Sequence, residues 1–279
     1  MTRIEKAKRF AELHVKGKPL VLYNAWDAGS AMLLADAGFD AIATTSAGIA
    51  FSLGRPDYGV ENPRLAVSRE AMFERIAQIT EVIAIPLNGD LEAGYGDAPE
   101  AVAETIRLAV QAGLAGGNIE DRQPDSEGLY DEALAIERIV SAKEAAGPEF
   151  VLTARCDALA VGQGIGEAIR RSNLYRAAGA DCLYCPGSSD LAVIARMAAK
   201  IEGPLNVVMG LGNADNTTAA LLAAGVQRIS LGGSIARSAL GFLRRCAQEL
   251  REQGSISFAE GQIPQGDLNG LFTRTRGGG

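Results

Sequence analysis

Carboxylates, carboxamides and an arginine stand at the ends of short apolar runs, and these residues have the chemistry to build a site. Asn24-Ala25-Trp26-Asp27, Thr44-Thr45-Ser46-Ala47-Gly48, Asn88-Gly89-Asp90-Leu91-Glu92, Asn118-Ile119-Glu120-Asp121 and Arg155-Cys156-Asp157 all have this placement; Asn206 and Ser230-Leu231-Gly232-Gly233-Ser234 follow later in the chain. Acidic groups gathered in one cleft repel each other unless a cation or a proton sits among them. Asp90 and Glu120 offer oxygen ligands with no His or Cys nearby in the sequence. Such a set suits a hard divalent cation such as Mg2+ that keeps several of its waters. Arg155 supplies a planar fork matched to a carboxylate. Ser46-Ala47-Gly48 would present backbone N–H groups to an anion, as a helix N-terminus does.

Blander roles are open to the same residues. Asp121 and Asp157 are placed to cap the helices that follow them. Arg155 could simply neutralise a neighbour, and Trp26 could simply close the end of the sheet. Gly232-Gly233-Ser234 has the composition of a phosphate loop, but a helix starting after a tight turn needs the same residues. The meeting of several run ends is more specific than any one residue.

The elements that would bring these ends together recur along the chain. Ala37-Gly38, Ala112-Gly113, Ala146-Gly147, Ala178-Gly179 and Ala224-Gly225 each end an amphipathic segment, and Gly there supplies the left-handed helix cap. Short apolar runs follow at Asp40–Thr45, Gly117–Glu120, Glu149–Ala154, Asp181–Cys185 and Gln227–Leu231. Pro19–Asn24, Ile83–Asn88 and Pro204–Met209 complete a set of eight strands. Helices are expected at Ala28–Ala37, around Ser68–Thr80, at Pro99–Ala112, Tyr130–Ala146 and Glu167–Ala178, around Leu191–Ile201, and at Asn216–Ala224 and Ser234–Gln253. Strictly alternating strands and helices imply a parallel sheet covered by helices. Eight units point to an α/β fold of the (β/α)8 TIM-barrel type, with a doubly wound open sheet as the rival. In a barrel the strand C-termini carry the active site. The barrel is expected to span residues 1–253, and residues 254–279 to form a tail whose Gly-rich end is disordered.

Composition agrees and excludes. The chain has 279 residues, 47% of them hydrophobic and only 5% aromatic, and a net charge of −7; that length is ordinary for one such barrel. Lys and Arg are scattered rather than clustered, which argues against a nucleic-acid binder. No apolar run is long enough to cross a membrane, and no signal-peptide segment follows the charged start Met1–Arg9, so the cytoplasm is the expected location. The only histidine is His14, in an N-terminal helical segment, which disfavours a His-liganded metal and a Ser-His-Asp triad. None of Lys6, Lys8, Lys16, Lys18, Lys143 and Lys200 lies at a strand C-terminus, where a Schiff-base lysine would be needed. No GxGxxG follows the first strand, so a dinucleotide site is unsupported. Of the four cysteines, Cys182 and Cys185 have CxxC spacing. They fall in a strand, where residues three apart face opposite sides, and core packing is the expectation for both.

Taken together and in order, Asn24-Ala25-Trp26-Asp27, Thr44 to Gly48, Pro56-Asp57, Asn88-Gly89-Asp90 with Gly94-Tyr95-Gly96, Asn118 to Asp121 and Thr153 to Asp157 resemble the isocitrate lyase/phosphoenolpyruvate mutase superfamily, over about residues 18–250. The resemblance implies a homotetramer with the last helix swapped between neighbours. It also implies cleavage or formation of a C–C or P–C bond beside a 2-oxo acid through a Mg2+-stabilised enolate, Mn2+ being a possible substitute. By position, Asp90 and Glu120 are similar to the metal-site carboxylates, with Asn88 beside them, and Asp57 to an acidic residue behind them. Ser46, Ala47 and Gly48 resemble the loop that holds the substrate carboxylate or oxyanion. Arg155 resembles the substrate arginine, and Trp26 and Asn206 resemble pocket-wall positions.

Two departures shape the expected activity. Many members carry Asp-x-Asp where this chain has Asn88-Gly89-Asp90. Asn can still ligate through its carbonyl, and Glu92 partly compensates, because extra residues precede Gly94. Isocitrate and methylisocitrate lyases carry Lys-Lys-Cys-Gly-His after the fourth strand; here Arg122-Gln123-Pro124-Asp125-Ser126-Glu127-Gly128 has no Cys, His or Lys. The lysine and asparagine of the mutase gating loop are also missing. The expectation is a Mg2+-dependent carbon–carbon lyase of a small 2-oxo or 2-hydroxy acid, such as a decarboxylase of an oxaloacetate-like acid. The alternatives are phosphonopyruvate-type P–C chemistry and a 2-oxo-acid-binding protein without catalysis.

Overall fold

A computed structural model describes residues 1–14, 17–57, 65–124, 126, 128–211 and 216–274. Eight strands, β1 (Leu20–Ala25), β2 (Ile42–Thr44), β3 (Leu87–Asp90), β4 (Gly116–Glu120), β5 (Val151–Arg155), β6 (Cys182–Tyr184), β7 (Leu205–Val208) and β8 (Arg228–Ser230), pair in sequence order into a closed parallel barrel. The ring closes where β1 meets β8, with Leu20 opposite Arg228 and Leu22 opposite Ser230. The barrel reading is borne out, and the open-sheet rival is not.

The helices are α1 (Arg3–Glu12), α2 (Ala28–Asp36), α3 (Ser46–Ser52), α4 (Arg69–Val82), α5 (Pro99–Gln111), α6 (Glu132–Ala146), α7 (Gly164–Ala177), α8 (Leu191–Lys200), α9 (Thr218–Ala223), α10 (Ser234–Gln253) and α11 (Gln265–Arg274). The five Ala-Gly turns behave as their sequence requires: Gly38, Gly113, Gly147, Gly179 and Gly225 all have φ between +68° and +106°. Main-chain geometry of that hand is costly for any residue with a Cβ.

Two cores result. The larger lies between strands and helices and includes Ile42, Leu87, Ile119, Leu152, Leu183, Leu205 and Ile229. The smaller seals the N-terminal end of the barrel, where Ala7 and Phe10 of α1 pack on Leu20, Leu22, Ala41, Ala43, Ala115 and Val151. Gly116 makes room for that plug, since a Cβ there would come within 2.8 Å of the Phe10 ring. α1 is started by a reciprocal Thr2–Glu5 capping box.

Several boundaries differ from the sequence reading. β3 was expected at Ile83–Asn88 but runs Leu87–Asp90, so Asp90 is a strand residue rather than a loop residue. α3 and α11 were not anticipated. α11 packs on α2, buries Leu271, and brings Arg274 within 3.9 Å of Asp36. Residues 275–279, the expected disordered end, lie outside the described residues. Cys182 and Cys185 are both buried and face different surroundings, Cys182 towards Thr153 and Arg228, and Cys185 against Ser172 at 3.1 Å. Among the described residues, no helix is long and apolar enough to cross a membrane.

Candidate active site

The register between β4 and β5 sets Glu120 directly beside Arg155. Their side chains meet in an ion pair of 2.6 Å, and a second carboxylate, Asp157, accepts from Arg155 Nη2 at 2.8 Å. Glu120 and Asp157 are almost fully buried, so the guanidinium is fixed from two sides, and the Tyr184 ring lies 5.5 Å from it. Arg155 Nε has no hydrogen-bond partner among the described residues although it is buried. The acids behind Arg155 are structural in part. Asp121 accepts from the Asp157 N–H at 2.8 Å and from the Tyr175 hydroxyl at 2.6 Å, and it faces Arg171 at 3.6 Å.

Asp90, at the end of β3, is fixed by neighbours on both of its carboxylate oxygens. Its Oδ2 accepts from the Ser46 N–H at 3.0 Å and the Ser46 hydroxyl at 2.9 Å, and its Oδ1 accepts from Asn118 Nδ2 at 2.9 Å. Asn88 lies two residues back on the same strand and therefore on the same face. Its amide donates weakly to Asn118 at 3.4 Å, while its own carbonyl is buried and unpartnered.

Glu92 joins the acids through an unusual turn. Glu92 and Tyr95 have φ of 51° and 57°, and among the described residues they are the non-glycines with positive φ. Conformations of that kind cost about 1–3 kcal/mol each and persist where the surroundings hold them. The holding groups are clear. Arg138, fully buried on α6, donates to the carbonyls of Gly96 and Asp97 at 2.6 Å each and to that of Ala93, and Thr105 donates to Gly94 O at 2.7 Å. Burial, then the charges of Asp90, Glu120 and Asp57, push the Glu92 carboxyl up to about 9. Burial likewise raises Glu120 to about 8, with Asp157, Asp90 and Asp121 adding to the rise and Arg155 opposing it.

A cavity of about 240 Å3 lies at the C-terminal ends of the strands, lined by Ser46, Ala47, Asp57, Asn88, Asp90, Arg155 and Asn206 among others; Glu92 is outside this lining. The structure thus brings together most of the residues singled out in the sequence. Glu120 sits behind Arg155 rather than on the wall. Trp26 and Gly48 are also off the wall: a Cβ on Gly48 would lie 2.9 Å from the Trp26 Cβ, and the Gly48 N–H already faces Thr45 Oγ1 at 3.3 Å. The Gly232 N–H, part of the phosphate-loop reading, is taken by Asn24 Oδ1 at 2.8 Å. Glu92 and Arg138 were given too little weight or missed. Their signals were faint, an acid two residues after Asp90 and an arginine within an otherwise apolar helical stripe.

The donor set fits a hard divalent cation: carboxylates and carboxamides gather without His or thiolate. Among the described residues no three acidic side chains converge tightly enough to cage an ion by themselves. That fits a cation held by one or two carboxylates with waters completing its shell, the habit of Mg2+.

A family model described as phosphoenolpyruvate phosphomutase matches residues 10–251. A solved structure from Burkholderia cenocepacia J2315, provisionally described as a lyase/mutase, superimposes with a TM-score of 0.91 at 43% identity, covering 97% of each chain. The 2-methylisocitrate lyase of Escherichia coli is 32% identical over 207 residues, 71% of this chain and 68% of that one. A phosphonopyruvate hydrolase solved with oxalate and Mg2+ has a TM-score of 0.84 at 26% identity, over 99% of this chain and 96% of that one. These relatives include lyases and a hydrolase, so the likeness fixes kinship and leaves the reaction open. The barrel, the strand-end carboxylates and the family match agree: the chain belongs to the phosphoenolpyruvate phosphomutase family, within the isocitrate lyase/phosphoenolpyruvate mutase superfamily.

Proposed function

We propose that the chain is a Mg2+-dependent lyase of a small 2-oxo or 2-hydroxy carboxylic acid, breaking a C–C bond so that an enolate is left, as in decarboxylation of an oxaloacetate-like acid. The observation that carries this reading is a wall on which two carboxylates, Asp57 and Asp90, face the Arg155 guanidinium across one cavity at the strand ends. Glu92 adds a buried acid that acts on Asp90. Oxygen donors grouped without His or thiolate suit a hard cation. We assign Asp90 to hold it, with Asp57 beside it on the wall and Glu92 behind. Asn88, a ligand in the sequence reading, is assigned to the wall, because its carbonyl oxygen is buried and its amide turns to Asn118. Glu120, also a ligand in that reading, is assigned to fixing Arg155. Mn2+ would meet the same donors. When bound, Mg2+ supplies Lewis-acid stabilisation of negative charge developing on the substrate.

The protein's own residues do the positioning. Arg155, held by Glu120 and Asp157, presents a rigid, part-exposed guanidinium to the cavity, and this is assigned to the substrate carboxylate. Ser46 fixes the rotamer of Asp90, and Ala47 and Asn206 close the wall. The segment Arg122 to Gly128 offers no Cys, His or Lys. Release of CO2 needs no proton donor at the cleavage step, which favours decarboxylation over an aldol-type cleavage. The Mg2+ and oxalate in the hydrolase relative support the cofactor and the kind of ligand. The kinship with 2-methylisocitrate lyase supports C–C chemistry.

The test is turnover of a panel of 2-oxo and 2-hydroxy diacids with Mg2+ and with EDTA. The reading requires turnover that EDTA abolishes. Phosphate release from phosphonopyruvate would move the reaction to P–C chemistry, and tight oxalate binding without any turnover would mark a binding protein. We also propose a homotetramer in which α10, the last helix of the barrel repeat, is exchanged between neighbours. In its support, α10 exposes Leu240, Phe242, Leu243 and Leu250, an apolar face larger than a lone helix usually leaves to water. Light scattering would settle the mass.

A further inference from the structure

The cavity does not stop at the acidic layer. Its lining continues into the barrel lumen to Leu22, Ala43 and Arg228. Barrel interiors are ordinarily filled by branched aliphatic side chains, yet here a guanidinium that is 2% exposed stands at the first residue of β8. Arg228 Nε donates to Asn206 Oδ1 at 2.8 Å, and Nη1 approaches His14 Nε2 at 3.4 Å. Asn206 is itself turned by Ser230, to whose hydroxyl it donates at 3.0 Å, so its carbonyl is committed to the arginine.

None of these neighbours is an anion. The titratable groups that act on Arg228 are Cys182, Tyr184 and His14, all uncharged near pH 7, because burial raises the first two and lowers the third. No carboxylate among the described residues pairs with it. Arg155, by contrast, is matched by two. An arginine keeps its charge even when buried, and an unmatched buried charge is unfavourable unless something of opposite sign comes to it. An aliphatic residue would serve a purely structural floor better. Arg228 itself is part of the cavity lining.

We propose that Arg228 reads a second carboxylate on the substrate, selecting dianionic acids over monoanionic ones. The assignment rests on the reading of the upper site given above, where Arg155 takes the first carboxylate. With the head of the acid at Arg155 and Asp90, a tail directed down the lumen ends at Arg228, and Asn206 holds the guanidinium in place. Specificity then comes from a charge in the floor, and an uncharged tail leaves that charge unmet.

The test compares L-malate with its distal monoamide, which keeps the 2-hydroxy acid head and replaces the far carboxylate by a neutral group of the same shape. Calorimetric titration of the full chain with Mg2+ should give malate an advantage on the order of 10- to 100-fold, the size of a lost charge-assisted hydrogen bond. Arg228→Met should bring that ratio close to one, and Arg228→Lys should restore part of it. Equal binding of the two ligands by the unaltered protein overturns the proposal without any variant, so it stays falsifiable if Arg228→Met does not fold. An unchanged ratio in Arg228→Met, with both ligands weakened alike, also overturns it and leaves Arg228 a structural pillar. Oxalate, which has only the head, is titrated in parallel. If oxalate binds with Mg2+ and the malate pair is not distinguished, the floor assignment alone falls. If oxalate does not bind, the reading of the upper site falls and takes this one with it.

Discussion

Ser46 holds one oxygen of Asp90 with two donors, its backbone N–H at 3.0 Å and its hydroxyl at 2.9 Å. The first turn of α3 therefore orients the carboxylate assigned to the cation. Ser46→Ala removes one of the two donors and should weaken Mg2+ activation by about 10- to 100-fold, as outer hydrogen bonds to metal ligands do. Asp90→Asn, which removes the charge itself, should lose more. Activity measured across a Mg2+ titration checks both; a Ser46→Ala midpoint equal to that of the unaltered protein would show that the contact does not tune the site.

The raised carboxyl of Glu92 predicts how the metal-free protein responds to pH. Glu92, at about 9, holds a proton in the fold that the unfolded chain gives up near pH 4.5. The folded state binds more protons in that window, so metal-free stability falls as pH rises from about 4.5 to 9, by at most about 1.4 kcal/mol per pH unit. Glu92→Gln should flatten the decline. Mg2+ should bind more tightly as pH rises and should expel protons as it does so, which calorimetry in buffers of different ionisation enthalpy measures directly.

Arg155 is matched by two buried acids, so losing it is worse than losing either. Arg155→Met should cost about 3–5 kcal/mol of stability by leaving Glu120 and Asp157 without their cation. Arg155→Lys keeps the charge but not the fork and should retain much of the stability while losing most of the turnover. Chemical denaturation alongside steady-state kinetics separates the two effects.

Arg138 supports the turn that carries Glu92, because its guanidinium gathers the carbonyls of Ala93, Gly96 and Asp97. Arg138→Met should destabilise the fold by about 3 kcal/mol through lost charged hydrogen bonds. It should also lower Mg2+ affinity, because the left-handed turn at Glu92 would relax. Destabilisation with unaltered Mg2+ affinity would confine Arg138 to a scaffold role.

His14 lies between Phe10 and Arg228, and burial, then the charge of Arg228, lowers its pKa to about 4. The unfolded chain protonates this group near pH 6.5 while the fold does not. Stability therefore falls as pH drops from about 6.5 towards 4. His14→Gln should remove that part of the acid sensitivity, visible as a smaller difference in Tm between pH 7 and pH 5.

The turns were legible because their constraint is local: a helix that ends in Ala-Gly declares its left-handed cap within two residues. The polar strand ends were legible for a similar reason, since apolar runs stop where side chains reach the mouth of the barrel. β3 was misplaced because Ile83-Ala84-Ile85 looks like the start of a strand. Ile83 instead caps α4, and Pro86 can give the ladder only a carbonyl, which it does to the Ile42 N–H at 3.1 Å. Glu92 was underweighted because its direction depends on a turn held by Arg138, some forty residues away. α11 was missed because its single buried anchor, Leu271, acquires meaning only from α2.

The join between β1 and β8 has a consequence for synthesis. Asn24, in the first strand made, accepts from the N–H groups of Leu231 and Gly232 at 2.9 and 2.8 Å, across a separation of more than 200 residues. Until the last stave emerges from the ribosome, the nascent sheet has two bare margins. A chain stalled before residue 228 is an open ribbon able to recruit another strand, and chaperone engagement would be needed most at that stage.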